Sequence, residues 1–528
     1  MKKFLLIYLF FGAFLKVNGK EYSITEYGAR PDTSVLSTAA IQKAIDECSK
    51  TGGRVIIPAG TYKTGTLYLK NSVTLYLEKG AVLYGSTRLS DYPENLPEYT
   101  FYRKGIVKRA LIYAENCTDI TIEGEGLIDG QGAAFRQPEG SATDSYTVRP
   151  YLLWIIRCRN VKVEGIRLRN SAMWMQHYLA CDGVYIHNID VFNHSNKNND
   201  LMDIDGCRNV RISDVTGDSD DDGITLKSTS GSGNENIAIT NCVISSHCNA
   251  IKMGTESNTG FKNIAISNIV IRPSRVTDKS IEGDPRGHTG IALETVDGAV
   301  IDGVTITNVT MDGPICPIFI RLGNRGRGYY PGQRIETPGA LKNVSISHVI
   351  ARNAGKNGCS ITGLQGYPVE NISLDDITIE FEGGGTSENY QNEVPEKEKS
   401  YPEYDMFGDL PAYGFYVRHA KGIRFSGIRL KTKQDDYRPA FVLSDVYQAN
   451  LNDLLLESTK ANICNIMAEN SGDIMISNSS VLGFSNALLE LRAKNQRIML
   501  NGNRMYNVGA TLTKSSDARA VKEVNSFR

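Results

Sequence analysis

The chain has 528 residues, with 58 lysines and arginines against 59 aspartates and glutamates and a formal net charge of −1. That balance excludes a nucleic-acid partner, because a phosphate backbone demands a basic surface. The length suits several domains or one elongated repeat domain, and 50 glycines with 26 tyrosines suit turn-rich β-structure that offers aromatic surface to sugars.

Residues 1–19 read as an export signal: Lys2 and Lys3, an apolar run from Phe4 to Leu15, then Val17, Asn18 and Gly19 at the cleavage position. The run is too short to span a bilayer. The protein is therefore expected to be exported, periplasmic or secreted, with no membrane contact after signal cleavage. The remainder, 20–528, is expected to be one catalytic domain, with a cap region over 20–95 and coils over 96–510. Within the cap, residues 38–49 follow a helical period with Ile41 and Ile45 on one face, Ser37 as N-cap, and Gly52 and Gly53 as a stop. Such a helix would plug the apolar end of a coil stack.

Beyond the cap the chain repeats itself. Short alternating strands begin at Asn160, Gly183, Asn209, Asn236, Asn263, Asn343 and Asn371, with a period of roughly 23 to 28 residues, within the range of repeat architectures. β-Branched residues alternate with polar ones, and the leading amide or glycine suits a turn. The fold class is all-β: a single-stranded right-handed parallel β-helix, a solenoid with coils about 4.8 Å apart and a short N-terminal capping helix. Asparagines at the turns would ladder from coil to coil. Cys117, Cys158, Cys181 and Cys207 occupy one position on successive repeats, and Asn234, Phe261, Leu341 and Val369 follow in the same slot. A column that mixes cysteine with such residues reads as an interior stack rather than a set of disulfides. Two insertions interrupt the repeats. One is polar, 272–289, with Arg275, Lys279, Arg286 and His288. The other spans 383–412, from Gly383 through Glu393, Glu396, Lys397 and Glu398 to Pro411, and is expected to wall a cleft.

Four segments on successive repeats carry the chemistry: Asn198 to Asp200, Asp221 to Gly223, Ser246 to Cys248, and Ala292 to Glu294. Spacings of one repeat bring Asp200, Asp221 and Asp222 to adjoining coils, facing one groove. Cleaving a glycosidic bond needs an acid for the departing oxygen and a base for water. Crowded carboxyls supply both, because they cannot all ionise together. Any one of these aspartates is ordinary turn chemistry or a calcium ligand; the joint pattern is what sets them apart. No metal and no cofactor are expected.

These motifs resemble glycoside hydrolase family 28, the polygalacturonase and rhamnogalacturonan hydrolase family, whose pattern runs N-T-D, D-D, G-H-G and R-I-K on successive coils. Asn198–Asp200, Asp221–Asp222 and Ser246–Cys248 are similar to the first three, Asn170–His177 is similar to the family's N-S-P-x-W-x-x-H, and 21–90 resembles its cap, so the likeness runs from about 21 to 380. The resemblance implies an inverting, pectin-degrading hydrolase. Asp221 would be the general acid, Asp200 with Asp222 would hold and deprotonate water, and His247 would support the acid or position the sugar. Asp220 adds a third consecutive acid and leaves the register of the pair to be settled.

The fourth motif departs from the family. Ala292, Leu293 and Glu294 stand where arginine, isoleucine and lysine would hold a galacturonate carboxylate, and Glu294 would repel one. A neutral sugar is expected there, which points to the galacturonate–rhamnose linkage of rhamnogalacturonan. Asn198, Lys227, Lys252, Glu294, Arg321, Arg325 and Tyr329, beside Tyr330, are the candidate substrate contacts. The partner would be a pectic polysaccharide or oligosaccharide. Alternatives are a polygalacturonase acting on homogalacturonan, a polysaccharide lyase, or a non-catalytic glycan-binding solenoid; endo or exo action stays open.

Overall fold

The computed structural model describes residues 19–138, 146–277, 281 and 283–514, so the expected export signal, save Gly19, lies outside the described residues, as does Lys279. The described strands join one 38-stranded sheet in which every pairing between strands is parallel. The chain is wound into a parallel β-helix.

Alternation explains each rung. In Arg208–Ser213, Val210 and Ile212 point inward while Arg208, Asn209 and Arg211 face solvent. Stacking explains the whole. Val161, Val184, Val210, Ile237, Ile264, Val304, Val344, Ile372 and Ile423 pair in that order and form one interior column. Each such side chain gains about 1.5–3 kcal/mol by leaving water. The cysteine slot runs parallel to it, with Cys117 N donating to Cys158 Sγ at 3.3 Å and Cys181 N to Cys207 Sγ at 3.4 Å. All ten cysteines are unpaired and buried.

Asparagines ladder at the turn as their spacing implies. Asn263 Nδ2 donates to Asn236 Oδ1 at 2.7 Å, Asn236 to Asn209 at 3.3 Å, and Asn209 to Asp182 at 2.7 Å. These three asparagines have φ of 56°, 59° and 56°. Their short amide side chain tolerates that left-handed backbone better than other L-residues.

The helix α1, Thr38–Cys48, closes the first coils with Ile41, Ala44, Ile45 and Cys48 buried. Ser37 occupies the N-cap position but does not cap with its side chain; its Oγ donates to Arg30 O at 3.3 Å. Thr38 Oγ1 instead accepts from Gly65 N at 2.7 Å. Docking onto the coil holds this terminus.

The two insertions go to different places. The 383–412 segment is a strap across one sheet face, where Arg321 Nη2 donates to Glu396 O at 2.8 Å and Asn324 N to Glu398 O at 2.7 Å. The described part of 272–289 packs behind the turn that precedes Asp221: Ser274 Oγ and Arg275 N donate to Asp218 at 2.7 and 3.1 Å, and Ile281 N donates to Asp220 at 3.1 Å.

Replacing Asn236 by alanine removes two ladder bonds and leaves a β-carbon in the left-handed region. The expected loss is about 1–2 kcal/mol, read as a lower denaturation midpoint. Asn236→Gly should recover the backbone part of it, and equal midpoints for the alanine variant and the parent would refute the ladder's role.

Candidate active site

Six consecutive rungs build the site: β1 (Gln176–Leu179), β2 (Met202–Asp205), β3 (Ile224–Ser228), β4 (Asn249–Ser257), β5 (Thr289–Thr295) and β6 (Cys316–Leu322). Met202, Ile224, Ile251 and Ile291 pair in turn. The residues two positions earlier, Asp200, Asp222, Asn249 and Thr289, therefore stand in line at the mouth of the sheet. Leu201 N bonds Asp222 O at 2.9 Å and Gly223 N bonds Asn249 O at 2.8 Å, which pins that line.

Asp200, Asp221 and Asp222 come together, each with one carboxylate oxygen within 4.8 Å of the others. The register question is thereby answered: Asp221 and Asp222 face Asp200, and Asp220 points elsewhere. The three acids line a pocket of about 560 Å³ together with Asn198, Lys227 and Glu256. A wider hollow of about 930 Å³ lies along the asparagine ladder, but no acid lines it and it cannot supply an acid/base pair.

Each carboxylate has its own environment. Asp222 Oδ1 accepts from Asn249 Nδ2 at 2.8 Å and from Asn249 N at 3.2 Å, while Lys252 Nζ lies 3.0 Å from Oδ2. Asp221, half-buried where the other two are buried, accepts from Asp222 N at 2.8 Å and from Asn198 Nδ2 at 3.4 Å. Asp200 Oδ1 has no hydrogen-bond partner among the described residues, and Lys227 Nζ stands 3.7 Å from Oδ2. Burial pushes the Asp200 carboxyl well above its ordinary range, the charges of Asp203 and Asp221 add to the push, and Lys227 opposes it. Burial would strip Lys227 of its proton, but Glu256, Asp203, Asp200 and Asp222 outweigh burial and hold it well above its ordinary value. Its ammonium also sits 4.7 Å from the centre of the Trp174 ring.

Only some of the expected contacts reach the pocket. Asn198 and Lys227 line it. Lys252 lies beneath it, held by Asp222 and by Glu403 of the strap at 3.6 Å. Arg321 is fully buried and holds strap carbonyls and Thr362, while Arg325 pairs with Asp297. Tyr329 lies outside the lining and packs edge-on against Tyr330 at 5.0 Å.

Glu294 does not face a sugar either. It is 0 % exposed, neither carboxylate oxygen finds a hydrogen-bond partner among the described residues, and burial pushes its carboxyl well above the ordinary range. Glu294 lies under the strap and outside the pocket lining, so it is not in place to contact a sugar carboxylate there.

His247 is corrected more sharply. Its Nδ1 lies 2.8 Å from Asp220 Oδ1, its Nε2 3.0 Å from Val276 O, and the side chain is 0 % exposed. Counting rungs from the Ile224–Ile251 pair explains why: Asn249, two residues on, is the group beside Asp222. The imidazole points to the back of the turn.

The pocket's remaining walls come from parts of the chain that do not repeat. Arg103 lies over the rings of Tyr146 and Trp174 at 4.3 and 5.0 Å, and its Nη1 is buried without a hydrogen-bond partner among the described residues. Arg327 stacks on Tyr102 at 3.8 Å and pairs with Glu256 at 2.8 Å. Tyr401 arrives from the strap. Trp174 sits inside the motif similar to N-S-P-x-W-x-x-H, which was a usable signal; nothing in the sequence marked Tyr102, Arg103 or Tyr401.

Along the solenoid axis the sheet face is covered on both sides. Before the acids, His177 of β1 is buried under Phe101, Tyr151 and Trp174, with ring centres 6.5, 5.5 and 5.0 Å away. After them, Ala292, Glu294, Phe319 and Arg321 of β5 and β6 are fully buried. Among the described residues the face is open above the acids, and it opens again beyond the strap, where Tyr416, Arg418, Val442 and Ser444 line a second pocket.

Fold and site thus define a parallel β-helix that exposes three clustered aspartates at the bottom of a cation-lined pocket. Residues 48–400 match Glycosyl hydrolases family 28, and the chain belongs to that family. It is 33% identical over 216 residues to a probable polygalacturonase of Vitis vinifera, covering 39% of this chain and 44% of that protein. It is 34% identical over 207 residues to an exo-poly-alpha-D-galacturonosidase of Dickeya chrysanthemi, covering 37% and 32%. The match thus spans less than half the length of these relatives. A hyperthermoactive exopolygalacturonase from Thermotoga maritima has the same fold, at a TM-score of 0.58 and 22% identity over 69% of this chain and 87% of that one.

Asp203, under Asp200, yields a pH prediction. Burial lifts its carboxyl to about 8 against the pull of Lys227, whereas an unfolded aspartate ionises near 3.9. Between those values the folded state holds a proton that the unfolded state lacks, so stability falls as pH rises through the window. Melting temperatures of the parent should drop relative to Asp203→Asn, with the gap widening from about pH 4 to about pH 8. A gap that stays constant would remove the assignment.

Proposed function

We propose that this protein is a pectin-directed glycosidase that removes galacturonate-containing units from chain ends, with the galacturonate–rhamnose bond as its preferred target. The observation that carries the reading is the trio Asp200, Asp221 and Asp222 on the floor of a pocket closed along the axis. Cover on both sides along the axis favours a polymer that enters by its end. Arg103, Lys227 and Arg327 suit a uronate carboxylate, while Trp174 and Tyr401 offer surface to a ring. The names of the similar proteins, a polygalacturonase and an exo-galacturonosidase, lend support to the substrate class. On the strap side the pocket meets Tyr401 rather than a free cation, which favours a neutral neighbour such as rhamnose.

In this mechanism the three carboxyls share protons as a unit. Burial first, and the crowding of like charges after it, raise Asp200 and make ionising all three costly. Asp221, the most exposed, gives its proton to the departing glycosidic oxygen. Water held by Asp200 and Asp222 loses a proton to that pair as its oxygen bonds to the anomeric carbon, and Lys252 Nζ, 3.0 Å from Asp222 Oδ2, lies beside the charge that pair carries. The outcome is inversion. A separation within 4.8 Å is shorter than the usual inverting pair, so retention through a covalent intermediate is the competing reading. Early-time NMR of the product anomer separates the two, and a product with the starting configuration would refute inversion.

Asp221→Asn and Asp222→Asn are each expected to lower kcat by about 10²–10⁴-fold with the fold intact by circular dichroism. Activity that survives Asp221→Asn would remove it as the acid. Rhamnogalacturonan oligosaccharides should be cut faster than polygalacturonate, with terminal units released first. Equal turnover on both would end the rhamnose reading, and early release of long internal fragments would end the chain-end reading. We also propose export, supported by the basic and apolar pattern of residues 1–19.

A further inference from the structure

The group that failed to join the pocket sits in a second cluster behind it. We propose that His194, Asp220 and His247 form a closed structural site for one divalent transition-metal cation of the zinc class.

The tautomers are set from outside the cluster. His194 Nε2 lies 2.9 Å from Asp218 Oδ1, and His247 Nε2 lies 3.0 Å from Val276 O. Both partners are acceptors, so each Nε2 carries a proton. A neutral imidazole then turns the lone pair of its Nδ1 the other way. Both lone pairs meet the same atom: His247 Nδ1 is 2.8 Å and His194 Nδ1 3.6 Å from Asp220 Oδ1. The His194 Nδ1 is buried and makes no hydrogen bond among the described residues. With both imidazoles neutral, three electron-rich atoms converge on one point and positive charge between them satisfies all three. Against burial, Asp218 and Asp220 hold His194 above its ordinary range, so a proton is the cation's competitor there.

A metal ion meets that need with one particle. Ligands about 2.0–2.1 Å from a tetrahedral zinc stand about 3.3 Å apart, between the two observed separations. The outer contacts also match the pattern of ligating histidines, whose far nitrogen donates to a carboxylate or a backbone carbonyl. Two imidazoles and one carboxylate select zinc-like ions over calcium or magnesium, which prefer oxygen. Access decides the role: side-chain exposures of 0% for His247, 1% for Asp220 and 6% for His194 leave no path for substrate. The ion would tie the turn that carries Asp221 to His194 and His247 on the neighbouring rungs, and His247 in turn reaches the 272–277 segment through Val276 O, a segment that already binds Asp218 through Ser274 and Arg275.

The test is metal analysis of the full chain after chelator treatment and reloading with zinc or cobalt(II). One equivalent per chain, a visible ligand-field spectrum of cobalt(II) bound by two imidazoles and a carboxylate, and a melting temperature lowered by chelation are expected. His194→Gln and His247→Gln should each lose the ion and the chelator response, while His348→Gln, at an exposed histidine, should keep both. Less than about a tenth of an equivalent on the reloaded parent, or retention of the full equivalent by both variants, would overturn the proposal. The cluster would then be a network of protonated imidazoles. Should the variants fail to fold, the parent's stoichiometry and cobalt spectrum decide alone.

Discussion

Parallel backbone pairing in register from one coil to the next is the constraint on which the molecule depends. With rungs about 4.8 Å apart, a residue type recurring at one position becomes a column. Where the type is valine, asparagine or cysteine the column stabilises itself. The same rule stacks acids as readily, and Asp200 above Asp222 is the result. Such a pair survives because basic residues are interleaved from the neighbouring strand positions: Asp205 pairs with Lys227 and Thr225 with Lys252 along the ladder. The two ammonium groups reach the carboxylates from beneath, leaving the upper side for substrate.

A bare solenoid face is a trough. Here the non-repeating segments turn it into a pocket. Residues around Phe101 and Tyr102 cover the rungs before the acids, and the 383–412 strap covers those after them. The strap is bound by charge as well as packing. Glu403 accepts from Asn249 at 3.1 Å and stands 3.6 Å from Lys252 and 3.7 Å from His288. Burial opposes its ionisation, but Lys252 and His288 hold it below the ordinary carboxylate range. The strap thus completes the environment of Asp222 rather than merely lying over it.

Burial divides the acids by task. Glu256, surrounded by Lys227, Arg103, Arg327 and Arg325, is held well below its ordinary value although burial opposes this. Glu294, one rung further, is pushed the other way by burial, because Lys252 and Arg325 are opposed there by the charges of Glu403 and Asp222. Identical side chains on adjoining rungs are shifted in opposite directions because the surrounding charges, not residue identity, set the balance.

The primary structure alone determined the solenoid, because a period in alternating residues has one economical stacking solution. Asn209, Asn236 and Asn263 announced the turn ladder, Cys117 to Cys207 the interior slot, and Asp200 with Asp221 and Asp222 the cluster. Side-chain direction escaped that reading at His247, where a shift of two positions along the strand leaves Asn249 beside the acid instead. Which non-repeating side chains reach the pocket escaped it too, since Arg103 and Tyr401 come from segments with no period. Only tertiary structure decided that Lys252, Glu294 and Arg321 lie under a strap, because what covers a surface depends on where a distant, non-repeating loop can pack, and periodicity holds no information about that.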